Sequence, residues 1–164
     1  MDKIPVIIDC DTGIDDMISF VLTLASKQLD IRGVTTVAGN VSLPHTTYNT
    51  VNGLAFMGRG EILVAAGEAA PLERPYRDAS EIHGDSGLGA FSFEYPVDYG
   101  PVETGGVEFL YEKLMESEEK ITILALAPLT NIAKLFLEHP DCKEKIEKIV
   151  FMGGSIFSGN PTPV

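Results

Sequence analysis

The clearest pattern along the chain is short apolar runs alternating with stretches where apolar residues recur every three or four positions. Pro5-Val6-Ile7-Ile8 is a β-branched run ending at Asp9, and it predicts a buried strand. After the turn at Thr12-Gly13, Met17, Phe20, Val21 and Leu24 fall at helical spacing, which predicts an amphipathic helix starting near Asp15. Ile31 to Val37 predicts a second strand closed by Gly39-Asn40, followed by a helix from His45 to Met57 and a strand from Ile62 to Ala66. The stretch from Gly67 to Gly106 carries Pro71, Pro75, Pro96, Pro101 and several glycines, and predicts a long irregular loop that is either disordered or functional. Regular pattern returns with a helix over Val107 to Glu116, its core face formed by Val107, Leu110 and Leu114. A strand from Ile121 to Leu126, a helix from Leu129 to Leu137 and a strand from Ile149 to Met152 complete the series.

Strands and helices in this alternation imply right-handed crossovers and an α/β fold, a mostly parallel open sheet covered by helices on both faces. No repeat or linker divides the chain, so residues 1–164 read as a single domain. Ser155 to Val164 reads as a loop with no closing element, so either the chain ends there or it is a fragment of a longer one.

Composition narrows the function classes. The net charge of -12, from 24 acidic and 12 basic residues, disfavours a nucleic acid or an anionic membrane as partner. No run is long and apolar enough to span a bilayer, and the first residues lack a signal-peptide pattern. Two cysteines, Cys10 and Cys142, make no disulfide framework, and a cytoplasmic location is the expectation. Cys10, inside an apolar run, reads as a small buried thiol.

In open α/β sheets, ligands bind beyond the carboxyl ends of the strands, so the polar residues there are the candidates. The first strand delivers Asp9, Asp11, Asp15 and Asp16; the second delivers Asn40; the fourth delivers the Leu126 carbonyl; and the last leads toward Asn160. Aspartates this dense repel one another unless a cation or protons intervene, and hard oxygens suit Ca²⁺ or Mg²⁺ rather than zinc. A plainer reading is also open: one aspartate caps the helix and the others are solvated. An EF-hand fails on the letters, because Gly13, Ile14 and Phe20 stand at its fifth, sixth and twelfth places. A Mg²⁺-dependent phosphatase of the haloacid dehalogenase kind, with Asp9 as nucleophile, is a rival, although Gly13 breaks its motif and Asp15-Asp16 are left unexplained.

The segment Asp9-Cys10-Asp11-Thr12-Gly13-Ile14-Asp15-Asp16 resembles the signature of the inosine-uridine-type nucleoside hydrolases. Further matches follow in order: Thr35 to Asn40, Ile82 to Gly89, Ala127 to Ala133, and Met152-Gly153-Gly154 with Gly159-Asn160. The resemblance implies a Rossmann-like sheet and hydrolysis of the N-glycosidic bond of ribonucleosides such as inosine or uridine. It implies Ca²⁺ held by Asp11, Asp16 and the Leu126 carbonyl, with Asp11 also the general base toward water. By the same resemblance Asp15, Asn40 and Asn160 would hold the ribose, His83 would face the nucleobase, and Asp9 would orient the turn. Family members are longer, homo-oligomeric dimers or tetramers, and carry a later His-Asp pair. This stretch alone is therefore expected to be inactive and to bind Ca²⁺ weakly, and a non-catalytic nucleoside-binding remnant is the further alternative.

Overall fold

Residues 3–157 are described in the computed structural model. The elements follow the order β1 (Ile4–Cys10), α1 (Ile14–Ala25), β2 (Leu29–Thr36), α2 (Leu43–Phe56), β3 (Val64–Ala66), α3 (Ser80–His83), α4 (Gly106–Glu116), β4 (Ile121–Ala125), α5 (Thr130–Glu138) and β5 (Ile146–Phe151). A single 3₁₀ segment, Pro140–Lys145, joins α5 to β5. The five strands form one parallel sheet in the order β3-β2-β1-β4-β5. The chain thus starts in the middle of the sheet, winds out to β3, and returns to the other side of β1. That reversal puts a topological switch point between β1 and β4, where sheets of this kind open a crevice for ligands.

β1 reads as a continuous apolar run because both of its faces are covered. Ile7 packs with Ile121, Ile123 and Ala125 against Val107, Leu110 and Leu114 of α4 and Ile132 and Leu135 of α5. Its neighbour Ile8 points the other way, with Cys10, Val34 and Val64, against Phe20 of α1 and Val51 and Leu54 of α2. The expected core face of α4 is therefore borne out, and Phe109 is buried as well. Phe109 accounts for Gly33: a Cβ there would sit 2.6 Å from the phenyl ring.

Several boundaries differ from the sequence expectation, each for a physical reason. α2 begins at Leu43, before His45, because Pro44 occupies its first turn, where a missing N–H costs nothing. The third strand shortens to Val64–Ala66, since Ile62 instead closes a turn by donating to the Arg59 carbonyl at 3.1 Å. β5 begins three residues earlier than expected, straight from the 3₁₀ segment, and its edge is less covered than two-sided packing implies, with Val150 46% and Phe151 55% exposed. Inside the long irregular stretch lies one additional turn of helix, α3. Among the described residues no helix is long and apolar enough to cross a membrane.

Candidate active site

The carboxyl ends of β1 and β2 are locked together by register. Cys10 stands beside Thr36, and the Val37 N–H donates to the Cys10 carbonyl at 3.0 Å. Beyond these ends the two chains diverge into Asp11-Thr12-Gly13 and Ala38-Gly39-Asn40, and the divergence makes the floor of the site. On the other flank, the Leu126 N–H donates to the Asp9 carbonyl at 2.8 Å, which sets Leu126 at the switch point beside the aspartate turn.

Asn40 ties the two interior carboxylates. Its N–H donates to Asp11 Oδ2 at 2.7 Å, and its side-chain amide donates to the Asp11 carbonyl at 3.2 Å and to Asp16 Oδ2 at 3.4 Å. Asp16 Oδ2 also accepts the Gly13 N–H at 3.0 Å, so this carboxylate does cap the start of α1. The plainer reading holds only that far. Asp11 and Asp16 are 5% and 3% exposed and Asp9 has no exposed surface, so these three are not solvated. Asp15 alone of the four turns outward, its side chain 62% exposed.

Burial governs the acidity of the group. It pushes Asp11 up to about 7; the Asn40 N–H opposes the rise and Asp15 adds to it. Asp16 rises to about 7 from burial and then from the neighbouring Asp11, against the Gly13 N–H. Asp9 rises to about 6 through burial, opposed by hydrogen bonds from Thr35 and Asn131 at 2.6 and 2.7 Å. Asp9 is thus sealed under the site as a brace for the turn. With no surface to reach a substrate it does not fit the role of a phosphatase nucleophile, and that alternative is set aside.

His83 closes one side. It ends α3, and its Nδ1 lies 3.9 Å from Asp15 Oδ1 and is buried without a hydrogen-bond partner. The ring and the Asn40 amide press on the aspartate turn so closely that a Cβ at Gly13 would lie 2.6 Å from His83 Nδ1 and 2.7 Å from Asn40 Nδ2. The segment after His83 has a defined turn geometry, with Gly84 and Gly87 at φ of 76° and 85°, a region that favours glycine. Asn160 lies outside the described residues.

Two supporting residues carried no role in the sequence reading. Asn49 of α2 donates to the Thr12 carbonyl at 3.1 Å and to the Ser86 carbonyl at 2.7 Å, bolting the aspartate turn to the His83 loop. Asn131 of α5 donates to Asp9 Oδ1 and to the Thr36 carbonyl, and accepts the Glu68 N–H at 2.9 Å. For Asn131 the signal was available, an amide on the face of α5 that Ile132 and Leu135 turn to the sheet, whereas Asn49 lies on a polar inner face of α2 that carries no such pattern.

Among the described residues, no group of three or more His, Cys, Asp or Glu side chains is arranged to hold a metal ion. Asp11 and Asp16 form a pair only. As donors they nonetheless fit a hard cation, being buried oxygens that repel one another and are relieved only partly by neutral amides.

Known proteins share the sequence pattern and the fold of this chain. The model of the inosine-uridine preferring nucleoside hydrolases matches residues 6–164. The non-specific ribonucleoside hydrolase RihC of Shigella flexneri is 42% identical over 163 residues, covering 98% of this chain and 52% of the relative. The pyrimidine-specific ribonucleoside hydrolase RihA of Citrobacter koseri is 42% identical over 160 residues, covering 98% of this chain and 51% of the relative. Among solved structures, a purine-preferring ribonucleoside hydrolase from Gardnerella vaginalis superposes with a TM-score of 0.87 at 26% identity, over 92% of this chain and 49% of that one. A plant nucleoside hydrolase superposes with a TM-score of 0.86 at 37% identity, over 92% and 48%. The chain therefore spans about half the length of the relatives it matches, and over that half it belongs to the inosine-uridine preferring nucleoside hydrolase family.

Proposed function

We propose that these residues form the sugar- and cation-binding part of a site that hydrolyses the N-glycosidic bond of ribonucleosides. The observation that carries the reading is the buried Asp11–Asp16 pair, coupled through Asn40 at the switch point of a nucleoside hydrolase sheet. Asp11, Asp16 and the Leu126 carbonyl would hold Ca²⁺, which supplies the positive charge that acidifies and orients an attacking water. Asp11, ionised beside the cation, would accept the proton that this water gives up. The outward carboxylate of Asp15 would accept hydrogen bonds from ribose hydroxyls. The Asn40 side-chain amide is already engaged with Asp11 and Asp16, so its part in holding sugar would run through its oxygen. His83, beside Asp15 with its side chain 13% exposed, would face the nucleobase. Asn160 would complete the grip on the sugar. Carboxylates around the anomeric carbon also suit the positive charge that develops as the glycosidic bond breaks.

Two carboxylates and one carbonyl supply about four oxygens if one carboxylate is bidentate, whereas Ca²⁺ takes about six to eight. The 164-residue chain is therefore expected to bind Ca²⁺ weakly and to bind nucleosides without turning them over. The test is calorimetric titration of the chain with Ca²⁺ and then inosine or uridine, beside an assay for released ribose. Loss of Ca²⁺ binding in Asp16→Asn and weaker nucleoside binding in Asp15→Ala would support the reading. Ca²⁺ binding that survives both Asp11→Asn and Asp16→Asn would overturn it.

A further inference from the structure

The side of α1 turned away from the sheet carries the wrong chemistry for a surface facing water. A surface helix keeps an apolar stripe toward the core and polar residues opposite. α1 has the stripe, with Phe20 buried and Met17 and Leu24 packed beside it. Its outward positions are apolar too. Ile14, Ile18, Val21 and Leu22 are all exposed, and Asp15 is the one charged residue among the exposed positions of the helix. A helix that is apolar all round belongs in an interior.

The apolar surface continues past the helix. A Cβ at Gly89 would lie 3.7 Å from Ile14 Cδ1, so the loop after His83 runs against the start of α1. Two residues on, Phe91 meets Phe56 of α2 edge-on, with ring centroids 6.2 Å apart. Ile14, Ile18, Val21, Leu22, Phe56 and Phe91 are each between 47% and 72% exposed. Together they present roughly 500 Å² of apolar surface, near the upper end of what a monomer leaves uncovered and over half of the 800 Å² or so that each partner gives to a stable dimer.

Continuation of the sheet does not account for this patch. β3 is closed at its free edge by Val102, whose N–H donates to the Val64 carbonyl at 2.8 Å, which leaves β5 as the edge where the sheet can grow. A strand added there by a right-handed crossover brings its helix to the face held by α4 and α5, opposite α1. Charge and shape favour a second copy instead. Two chains of net charge -12 repel, so they meet best where the surface is uncharged. Ile14, Ile18 and Leu22 stand four residues apart and form one ridge. Identical ridges of this kind interdigitate in the commonest class of helix packing, and two-fold symmetry makes such a contact self-complementary. An antiparallel crossing also separates the two Asp15 carboxylates and turns each toward the exposed Lys27 at the far end of the other helix.

We propose that the outer face of α1, with Phe56 and Phe91, is the contact between two copies of this chain, paired antiparallel about a two-fold axis beside Ile18. The contact does not depend on the nucleoside reading above.

The test is sedimentation velocity of the 164-residue chain over about a hundredfold range of concentration, with hydrogen exchange at both ends of that range. A monomer–dimer equilibrium is expected, with a dissociation constant of about 1–100 µM for an interface of this size. Exchange over residues 18–25 and 90–92 should slow at the higher concentration, and exchange over β5 should not. Ile18→Glu puts a charge at the centre of the contact and should weaken the dimer at least about tenfold, as should Leu22→Lys. Both positions face outward, so each variant should melt where diluted wild type does. Lys27→Glu should weaken the dimer about two- to fivefold, and Val150→Glu on the sheet edge should leave it intact. A chain that stays monomeric at every concentration would overturn the proposal and leave α1 to be covered by another segment of a longer chain. Dimers that persist in both Ile18→Glu and Leu22→Lys would overturn it as well, and their loss in Val150→Glu would put the contact on the β5 edge. Melting of both α1 variants well below diluted wild type would mean that this face is already packed within one chain, which is equally fatal to the proposal.

Discussion

Burial does more than mutual repulsion to set the chemistry of Asp11 and Asp16, and this has a measurable consequence. Both carboxyls hold their protons up to about 7 in the folded chain, against an ordinary 3.8. The folded state therefore binds protons more tightly than the unfolded state between these values. The stability these groups contribute is largest below about 4 and is lost as pH rises to about 7. An amide at either position keeps an oxygen to accept the Asn40 or Gly13 N–H and carries no charge to desolvate. Cation-free Asp11→Asn or Asp16→Asn should therefore be more stable than wild type at pH 8, by about 1–3 kcal/mol, and no more stable at pH 4. Urea unfolding at the two pH values measures this, and an equal effect at both would contradict it. Gly39 gives a second case at this scale. A Cβ there would run into the Asp11 carboxylate and lie 2.9 Å from Pro128 Cδ. Gly39→Ala should move Asp11 off its Asn40 N–H and abolish Ca²⁺ binding while the sheet still folds, which calorimetry and circular dichroism together would report.

At the scale of elements, the site is held by amides that cross between them. Asn131 joins α5 to the ends of β1 and β2 and to the start of the following loop. Asn131→Ala leaves Asp9 Oδ1, the Thr36 carbonyl and the Glu68 N–H each short of a partner, and should cost about 2–4 kcal/mol in urea unfolding. Asn49→Ala should cost less globally, because its two acceptors lie in turns. It should show first as faster amide exchange over residues 84–89, where the His83 loop loses its bond to α2. These bridges also mark what could be read in the sequence. Strand and helix order was legible because β1 and β4 are buried on both faces and so are written as unbroken apolar runs. The inner face of α2 was not legible by hydropathy, since Thr46, Thr47, Asn49 and Thr50 are all buried polar residues that bond to Val37, Thr36 and Thr12 at the strand ends. The 3₁₀ segment and the early start of β5 escaped for the same reason: Pro140–Lys145 is polar, and Glu147 and Lys148 face outward on an edge strand. The closeness of Asp11 and Asp16 could be expected from their spacing. Their link through Asn40 could not, because it spans 29 residues and depends on the pairing of Cys10 with Thr36.

For the whole molecule, the net charge of -12 attracts any cation, but salt screens a field of that range within about 10 Å. What distinguishes binding at the site from the general attraction of an acidic surface is protons. A cation on Asp11 and Asp16 stabilises their ionised forms and pulls both carboxyls back down from about 7. Binding at pH 6 must then expel protons that the free chain holds, whereas at pH 8.5 there are almost none left to expel. Ca²⁺ affinity should therefore fall steeply as pH drops below about 7, by as much as about tenfold per pH unit for each carboxyl that must ionise. Titrations in two buffers of different ionisation enthalpy would read between one and two protons released at pH 6. In Asp16→Asn that number should fall to one or fewer, even if enough affinity survives to measure. Diffuse binding to exposed carboxylates makes the opposite prediction, since ordinary surface acids are already ionised at pH 6 and release nothing. Added salt separates the two further: 0.5 M KCl should strip cations from the acidic surface and leave proton-linked binding in place. Ca²⁺ uptake at pH 6 without proton release would place the cation elsewhere on the molecule.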